Sequence, residues 1–437
     1  VKMLIQFSVA NCLSFNEKTT LEFFASKDRN LKEQLWMSES RYIPNILKAA
    51  FIFGPNAGGK SNLIKAFYYA KSIVLGEPNP LRNRTIYFKL CPDCAQKPIF
   101  FEFEMLIKRK IYRYGFEIKE GVISREWLWN INSTGEHKVY ERTFDKLQKN
   151  KISYGDNYKV LQQDEYFNFV LKGTPENKLF LTETINRNIE LFRDVFEWFK
   201  KIVIIYPHSK LQSFNVLINN EFLLQEYRKL MKLCDLGIDD INIEKIEADE
   251  VLNKLPSAVR DNLRMDLPGN ITLKTDERYS MNFKNGIQEA YRILISHKIP
   301  ATETKVEFKI NEESDGTNRI FDLIPVLQLL QEDAIVFVDE LDRSLHPLIS
   351  KAFIKALFTA NKQHQGQFIV TTHDATLLDV KLLRRDLIWF IRKNYQMEST
   401  LYSLQEFEKV RNDKALQKAY LAGLYGAIPI IADEDEE

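Results

Sequence analysis

The run Gly54-Pro55-Asn56-Ala57-Gly58-Gly59-Lys60-Ser61 is an uninterrupted match to G-x-x-x-x-G-K-[ST], and its flanks decide how it folds. Before it, Ala49–Phe53 is a short apolar run of the kind that forms a buried strand. After it, Leu63, Ile64, Phe67 and Ala70 recur at helical spacing. Strand, glycine loop and helix in that order predict a phosphate cradle. The glycines let the backbone curl until successive N–H groups point inward, at the positive end of the helix dipole. Lys60 is then expected to reach the β- and γ-phosphates, the Ser61 hydroxyl to ligate Mg²⁺, and Asn62 to line the same site. The competing reading is a glycine-rich turn that happens to end in Gly-Lys-Ser, and the flanking pattern argues against it.

A phosphate loop needs carboxylates to hold the metal and orient water. Ala334–Val338 is an apolar run suited to a strand buried on both faces, and it ends in Asp339-Glu340. Asp339 is expected to hold Mg²⁺ through water, and Glu340 to polarise the attacking water. Leu341-Asp342-Arg343-Ser344-Leu345-His346-Pro347 follows, then a helical pattern with Leu348, Ile349, Phe353 and Leu357 on one side. Pro347 fits a first helical turn. Farther on, Phe368–Thr372 reads as another strand, and His373-Asp374 stands just past its end, where a histidine can approach a γ-phosphate.

The balance of 61 basic and 60 acidic residues, net charge +1, excludes a grossly cationic binder or a polyanionic chain. Sparse glycine and proline exclude collagen-like and largely disordered classes. No apolar run approaches the roughly 18 residues of a membrane helix, and the start lacks a secretory layout, so a cytoplasmic protein is expected. Four cysteines make no disulfide framework. Cys91-Pro-Asp-Cys94 offers two thiolates at metal spacing, but Cys12 and Cys234 are isolated and no histidine lies nearby. A plain turn between strands is therefore the favoured reading. Residues 1–125 read mainly as strands, 126–300 as a mainly helical insertion in which Ile202–Tyr206 is a strand candidate, 301–432 as strand–turn–helix again, and 433–437 as an acidic tail.

Taken in order, Gly54–Ser61, Asp339-Glu340, Asp342 and His373 resemble the Walker A, Walker B, D-loop and switch histidine of ABC-type ATPase heads, closest to SMC, RecF and OLD-type proteins. The resemblance implies an α/β, ABC-type P-loop ATPase head with a largely helical insertion, using ATP and Mg²⁺. It also implies a signature segment, for which Glu313-Ser314-Asp315-Gly316-Thr317 occupies the right place. Ser314 and Gly316 keep the two phosphate-facing positions, whereas Asp315 and Thr317 depart from the usual Leu-Ser-Gly-Gly-Gln. Pro325 is expected to kink the following helix or to mark a later start. Asn11-Cys-Leu-Ser14-Phe15, Glu313–Arg319, Asp339–Pro347, Thr371–Asp374 with Leu383-Arg384-Arg385-Asp386, and Tyr420–Pro429 extend the likeness to stand-alone AAA-type ATPases of abortive-infection and anti-phage loci, including RloA/AbiLi-like proteins and the PARIS ATPase.

That likeness implies a homodimer or higher even-numbered assembly through ATP-bound heads, a separately encoded effector, and a phage protein or nucleic acid as trigger, with no membrane. A DNA-clamping repair or chromosome-handling ATPase is the alternative. No sustained heptads for a coiled-coil arm are present, and Lys108, Arg109, Lys110 and Arg113 are interleaved with acids. The stretch after His373 is expected to be too short for a Toprim nuclease.

Overall fold

The computed structural model describes residues 1–77, 86–145, 149–209, 217–218, 220–233, 237–257, 260, 269–274, 278–284, 287–300, 302–407 and 416–428. The tail 433–437, Cys234 and Pro429 lie outside them. The chain forms two compact units, Val1–Tyr206 with Leu329–Leu341 and Asn361–Glu437, and Pro207–Gln328 with Asp342–Ala360. In chain order the strands are β1 (Lys2–Ala10), β2 (Thr19–Glu22), β3 (Leu35–Trp36), β4 (Ile46–Leu47), β5 (Ala49–Phe53), β6 (Ile99–Ile107), β7 (Lys110–Lys119), β8 (Val122–Asn132), β9 (Gly135–Asp145) and β10 (Lys149–Tyr154). Then come β11 (Ile202–Ile205), β12 (Ile238–Ile246), β13 (Gly269–Lys274), β14 (Arg278–Lys284), β15 (Ile287–Lys298) and β16 (Lys305–Lys309). The last are β17 (Ile335–Val338), β18 (Gln367–Thr372), β19 (Ile388–Lys393) and β20 (Ser399–Ser403).

In the first unit a six-stranded sheet runs β11-β17-β18-β5-β19-β20. All its pairings are parallel except β19 with β20. Every residue of β5, β17 and β18 is buried, which is why β5 and β17 read as unbroken apolar runs and β18 has the apolar centre Phe368–Val370. Because these three strands are adjacent and run the same way, the segments leaving their carboxyl ends share one sheet edge. Residues 54–61, 339–340 and 373 meet there.

Helix α1 (Lys60–Leu75) lies between this sheet and a seven-stranded antiparallel one ordered β10-β9-β8-β7-β6-β1-β2. The Phe67 ring sits 4.2 Å from that of Phe337 on one side, and 4.7 Å from Phe7 and 5.3 Å from Phe103 on the other. The buried amide of Gln367 on β18 bonds to both backbone groups of Leu4 and to the Leu47 carbonyl, tying the two sheets together. Farther along the antiparallel sheet, Glu126 is wholly buried. Its carboxylate accepts from Tyr114, Tyr140, Arg142 and the backbone N–H groups of Phe180 and Leu181, which open α3 (Phe180–Asn186).

The two end motifs serve packing. Arg384 and Asp386 form a fully buried bidentate pair that also holds the 26–34 segment through Ser26, Asp28 and Asn30. Tyr420 and Tyr425 stack on Phe390, with centroids at 5.7 and 5.0 Å.

The expected helical character of 126–300 holds only in part. Its helices include α2 (Glu165–Gly173), α4 (Arg193–Lys200), α5 (Glu221–Leu233) and α6 (Ala248–Leu252). However, β8, β9 and β10 carry the antiparallel sheet past residue 125, and β12–β16 form a second antiparallel sheet in the second unit. In β8–β10 exposed charged residues such as Arg125, Glu136, Lys149 and Lys151 dilute the alternation, which reads as polar sequence, and β16 is exposed along its whole length. The strand candidate at 202–206 does join the parallel sheet, as β11 beside β17.

In the second unit, Pro325 opens a separate helix, α8 (Pro325–Gln331), after α7 (Asp315–Leu323) ends. Along α9 (Pro347–Ala360), Ile349, Phe353 and Leu357 are buried but Leu348 is exposed, outside the expected stripe.

Candidate functional site

The loop leaving β5 takes a conformation that few residues adopt. Ala57 has φ 59° and Gly59 has φ 120°. A Cβ on Gly59 would lie 2.1 Å from Ser399 Oγ, so glycine is required by space as well as by φ. Ser399, at the start of β20, hydrogen-bonds the Gly58 carbonyl and Ser14 Oγ, both at 2.8 Å. Asn62 donates to Ser14 Oγ at 2.9 Å. This brace of three side chains holds the loop from outside. Ser399 was not foreseen, and Ser14 appeared only within a family likeness.

Lys60 is buried, and its ammonium donates to the carbonyls of Gly54 (2.6 Å) and Pro55 (3.0 Å). His373 Nδ1 stands 3.2 Å from the same nitrogen, which joins the first and third strand ends in one contact. Residues 55–62, Glu340 and His373 line a single cavity of about 120 Å³. A larger cavity of about 650 Å³ shares Asn62 with it and is walled by Leu13, Tyr87, Phe88 and the lysines Lys65, Lys89 and Lys393.

Asp339 is buried at the end of β17, and its Oδ1 accepts the Thr371 hydroxyl at 2.6 Å. The same hydroxyl oxygen accepts the backbone N–H of Glu340 at 2.9 Å. Glu340 has φ 49°, a left-handed conformation that a non-glycine residue holds only when its surroundings impose it. Thr371 thus ties both acids to β18. Like Ser14, Thr371 stood in the sequence reading only within a family likeness, without a role, because a threonine inside an apolar strand carries no signal of its own.

Ser61 and Asp339 supply a hydroxyl and a carboxylate, hard oxygen donors that fit Mg²⁺ when phosphates and waters complete its shell. Such an ion would neutralise phosphate charge.

The signature and D-loop candidates lie together in the second unit. Ser314 is the N-cap of α7, accepting from the Thr317 N–H at 3.2 Å. A Cβ on Gly316 would come within 2.9 Å of the Ser344 carbonyl, so the segment after Asp342 packs on the Gly316 backbone. Ser314, Gly316 and Asp342 are not among the residues lining the phosphate-loop cavity. At the cysteine pair, residues 91–97 form a turn and the two sulfurs are joined as a disulfide.

A glycine loop that ends in a buried lysine, beside an acid pair at the edge of a parallel sheet, suits a nucleoside triphosphate, and the fold is an α/β P-loop fold. The family model described as "AAA domain, putative AbiEii toxin, Type IV TA system" matches residues 49–379, and the chain belongs to that family. Among solved structures, it is similar to the SMC head domain from Thermotoga maritima (14% identity, TM-score 0.37, covering 92% of this chain and 98% of that one). It is also similar to an SMC head bound to the C-terminal winged-helix domain of ScpA (14%, TM-score 0.41, 93% and 99%). An SMC head with an extended coiled coil, bound to the ScpA C-terminal domain and derived from Pyrococcus furiosus, gives 12% identity, TM-score 0.40, and 94% and 98% coverage. No curated protein sequence matches this chain. No helix among the described residues is long and apolar enough to cross a membrane.

Proposed function

We propose that the protein is an ATP-hydrolysing switch of a bacterial anti-phage or toxin–antitoxin system, cytoplasmic, and controlling a separately encoded effector. The observation that carries the catalytic part is the meeting of Lys60, Glu340 and His373 around one cavity. The triphosphate lies on the loop, with Ser61 and Asp339 holding Mg²⁺. The nucleoside end extends past Asn62 into the larger cavity, where Lys65, Lys89 and Lys393 add positive charge. Glu340 orients the attacking water, and His373, beside the Lys60 ammonium, contacts the γ-phosphate. The defence role is supported by the toxin–antitoxin description of the family.

Closure joins two copies, the α7 start of one, with Ser314 and Gly316, capping the γ-phosphate held by the other, and Asp342 beside it. Closing on ATP biases an effector that binds the open and closed assemblies with different free energies; a hundredfold bias needs about 2.7 kcal/mol. A phage protein or nucleic acid supplies the trigger.

Phosphate release and light scattering on purified protein test the core of this reading. Lys60→Ala is expected to lose nucleotide binding, and Glu340→Gln to bind ATP, stop turning over and accumulate as a dimer. A Glu340→Gln protein that hydrolyses at the parent rate, or stays monomeric with ATP, overturns it. For the biological role, the chain is expressed with and without its neighbouring gene and challenged with phage. Protection that needs both genes and intact Lys60 supports effector control; growth arrest by this chain alone makes it the toxic component instead.

A further inference from the structure

We propose that Cys91 and Cys94 form a reversible thiol-oxidation site whose state sets how firmly the phosphate loop is braced; its effect on affinity rests on the ATP-binding reading above. The Cα atoms are 5.3 Å apart, within bridging range, so the turn accommodates the disulfide without backbone movement. Cys94 is fully buried and Cys91 only partly, so an external reagent meets Cys91 first. The turn is pinned to the N-terminal strand region by Asn11, whose amide donates to the carbonyls of Cys94 (2.8 Å) and Lys97 (3.0 Å).

The link to the loop runs through side chains. Cys94 Sγ stands 3.1 Å from Asn16 Oδ1. In the dithiol form its S–H donates to that oxygen; in the disulfide it has no hydrogen to give, so oxidation deletes this bond. The Asn16 amide nitrogen donates to Glu398 Oε1 at 2.7 Å. Glu398 is further fixed by Asn394, and it immediately precedes Ser399, the residue bonded to Gly58 and Ser14. The same 86–97 stretch supplies Tyr87, Phe88 and Lys89 to the wall of the larger cavity. The Asn16–Glu398 bond and the loop brace are present with the sulfurs joined; the dithiol form adds the Cys94 S–H bond to Asn16 at the head of that series, and oxidation withdraws it.

The oxidant is a low-molecular-weight disulfide. The Cys91 thiolate attacks one of its sulfurs, forming a mixed disulfide and releasing one thiol. The Cys94 thiolate then attacks Cys91 Sγ and releases the second, so two protein thiols and one external disulfide give one protein disulfide and two external thiols. In a reducing compartment such a pair is a sensor rather than a staple.

The test equilibrates the full chain with dithiothreitol or with oxidised glutathione, counts thiols by alkylation and mass, and titrates a fluorescent ATP analogue. The oxidised protein is expected to bind about three- to tenfold more weakly, the worth of one hydrogen bond. Cys91→Ser abolishes the response at the reduced-state affinity. Cys94→Ser does the same while its hydroxyl keeps a donor toward Asn16, and Asn16→Ala still forms the disulfide but shows equal affinity in both states. Equal affinities in the parent with the disulfide verified, or no disulfide formed in oxidised glutathione, overturn the proposal. No binding in either state overturns the ATP-binding reading beneath it.

Discussion

Glu126 on β8 and the Asp339-Glu340 pair after β17 belong to the same unit, yet the protein treats them in opposite ways. Glu126 is closed off: two phenols, a guanidinium and two backbone N–H groups converge on it, and no water reaches it. Glu340 is held from its backbone side, in a left-handed conformation, with its side chain among the residues that line a cavity. An acid whose donors all come from protein can only stabilise the fold, whereas an acid facing a cavity beside a lysine can act on what enters. A buried carboxylate is therefore a functional candidate only when its surroundings leave room for a ligand.

Substitutions that separate turnover from stability put this contrast at risk. Glu340→Gln is expected to lower the hydrolysis rate about 10²–10⁴-fold in single-turnover assays, with the thermal midpoint unchanged. Glu126→Gln should do the reverse. It leaves Arg142 facing an amide and is expected to cost about 3–5 kcal/mol in urea denaturation, while turnover per folded molecule stays at the parent value. If the Glu126 variant loses turnover while folded, the two regions are not independent.

Thr371→Val sharpens the boundary between them. Losing the hydroxyl that joins Asp339 to the Glu340 backbone should reduce kcat about tenfold with little change in ATP affinity, and Thr371→Ser should restore it. The smallest effect is expected at alkaline pH. Burial, then the Glu126 carboxylate, raises the Tyr114 and Tyr140 phenols well above their ordinary range. The folded state keeps protons that the unfolded chain releases above about pH 10, so this stability is intact below that pH and declines as pH rises beyond it. Denaturation midpoints of the parent should fall above that point, and those of Tyr140→Phe should fall less.

The parallel sheet and its edge were legible because phosphate chemistry demands fixed residue types at contiguous positions, and strands buried on both faces read as apolar runs. The braces were not. Ser14 and Ser399 are 385 positions apart, and only tertiary register brings such common residues together. Glu126 likewise looks like any charged residue in a half-polar strand until the sheet buries it. The strands β8–β10 hid for a related reason: exposed charged residues recur along them, so composition outweighed alternation.

The Gln367 amide, bonded to Leu4 at a separation of 363 positions, has a consequence for how the molecule is made. β5 is synthesised long before its neighbours β18 and β19 emerge from the ribosome. The β6–β10 hairpins can pair locally long before that. Such high contact order makes the parallel sheet the late step of folding. An interrupted polypeptide therefore carries the glycine loop but no sheet edge on which to hold it. A prematurely terminated chain is silent by construction, and nucleotide binding on ribosome-bound chains should appear only once residues through 393 have cleared the exit tunnel.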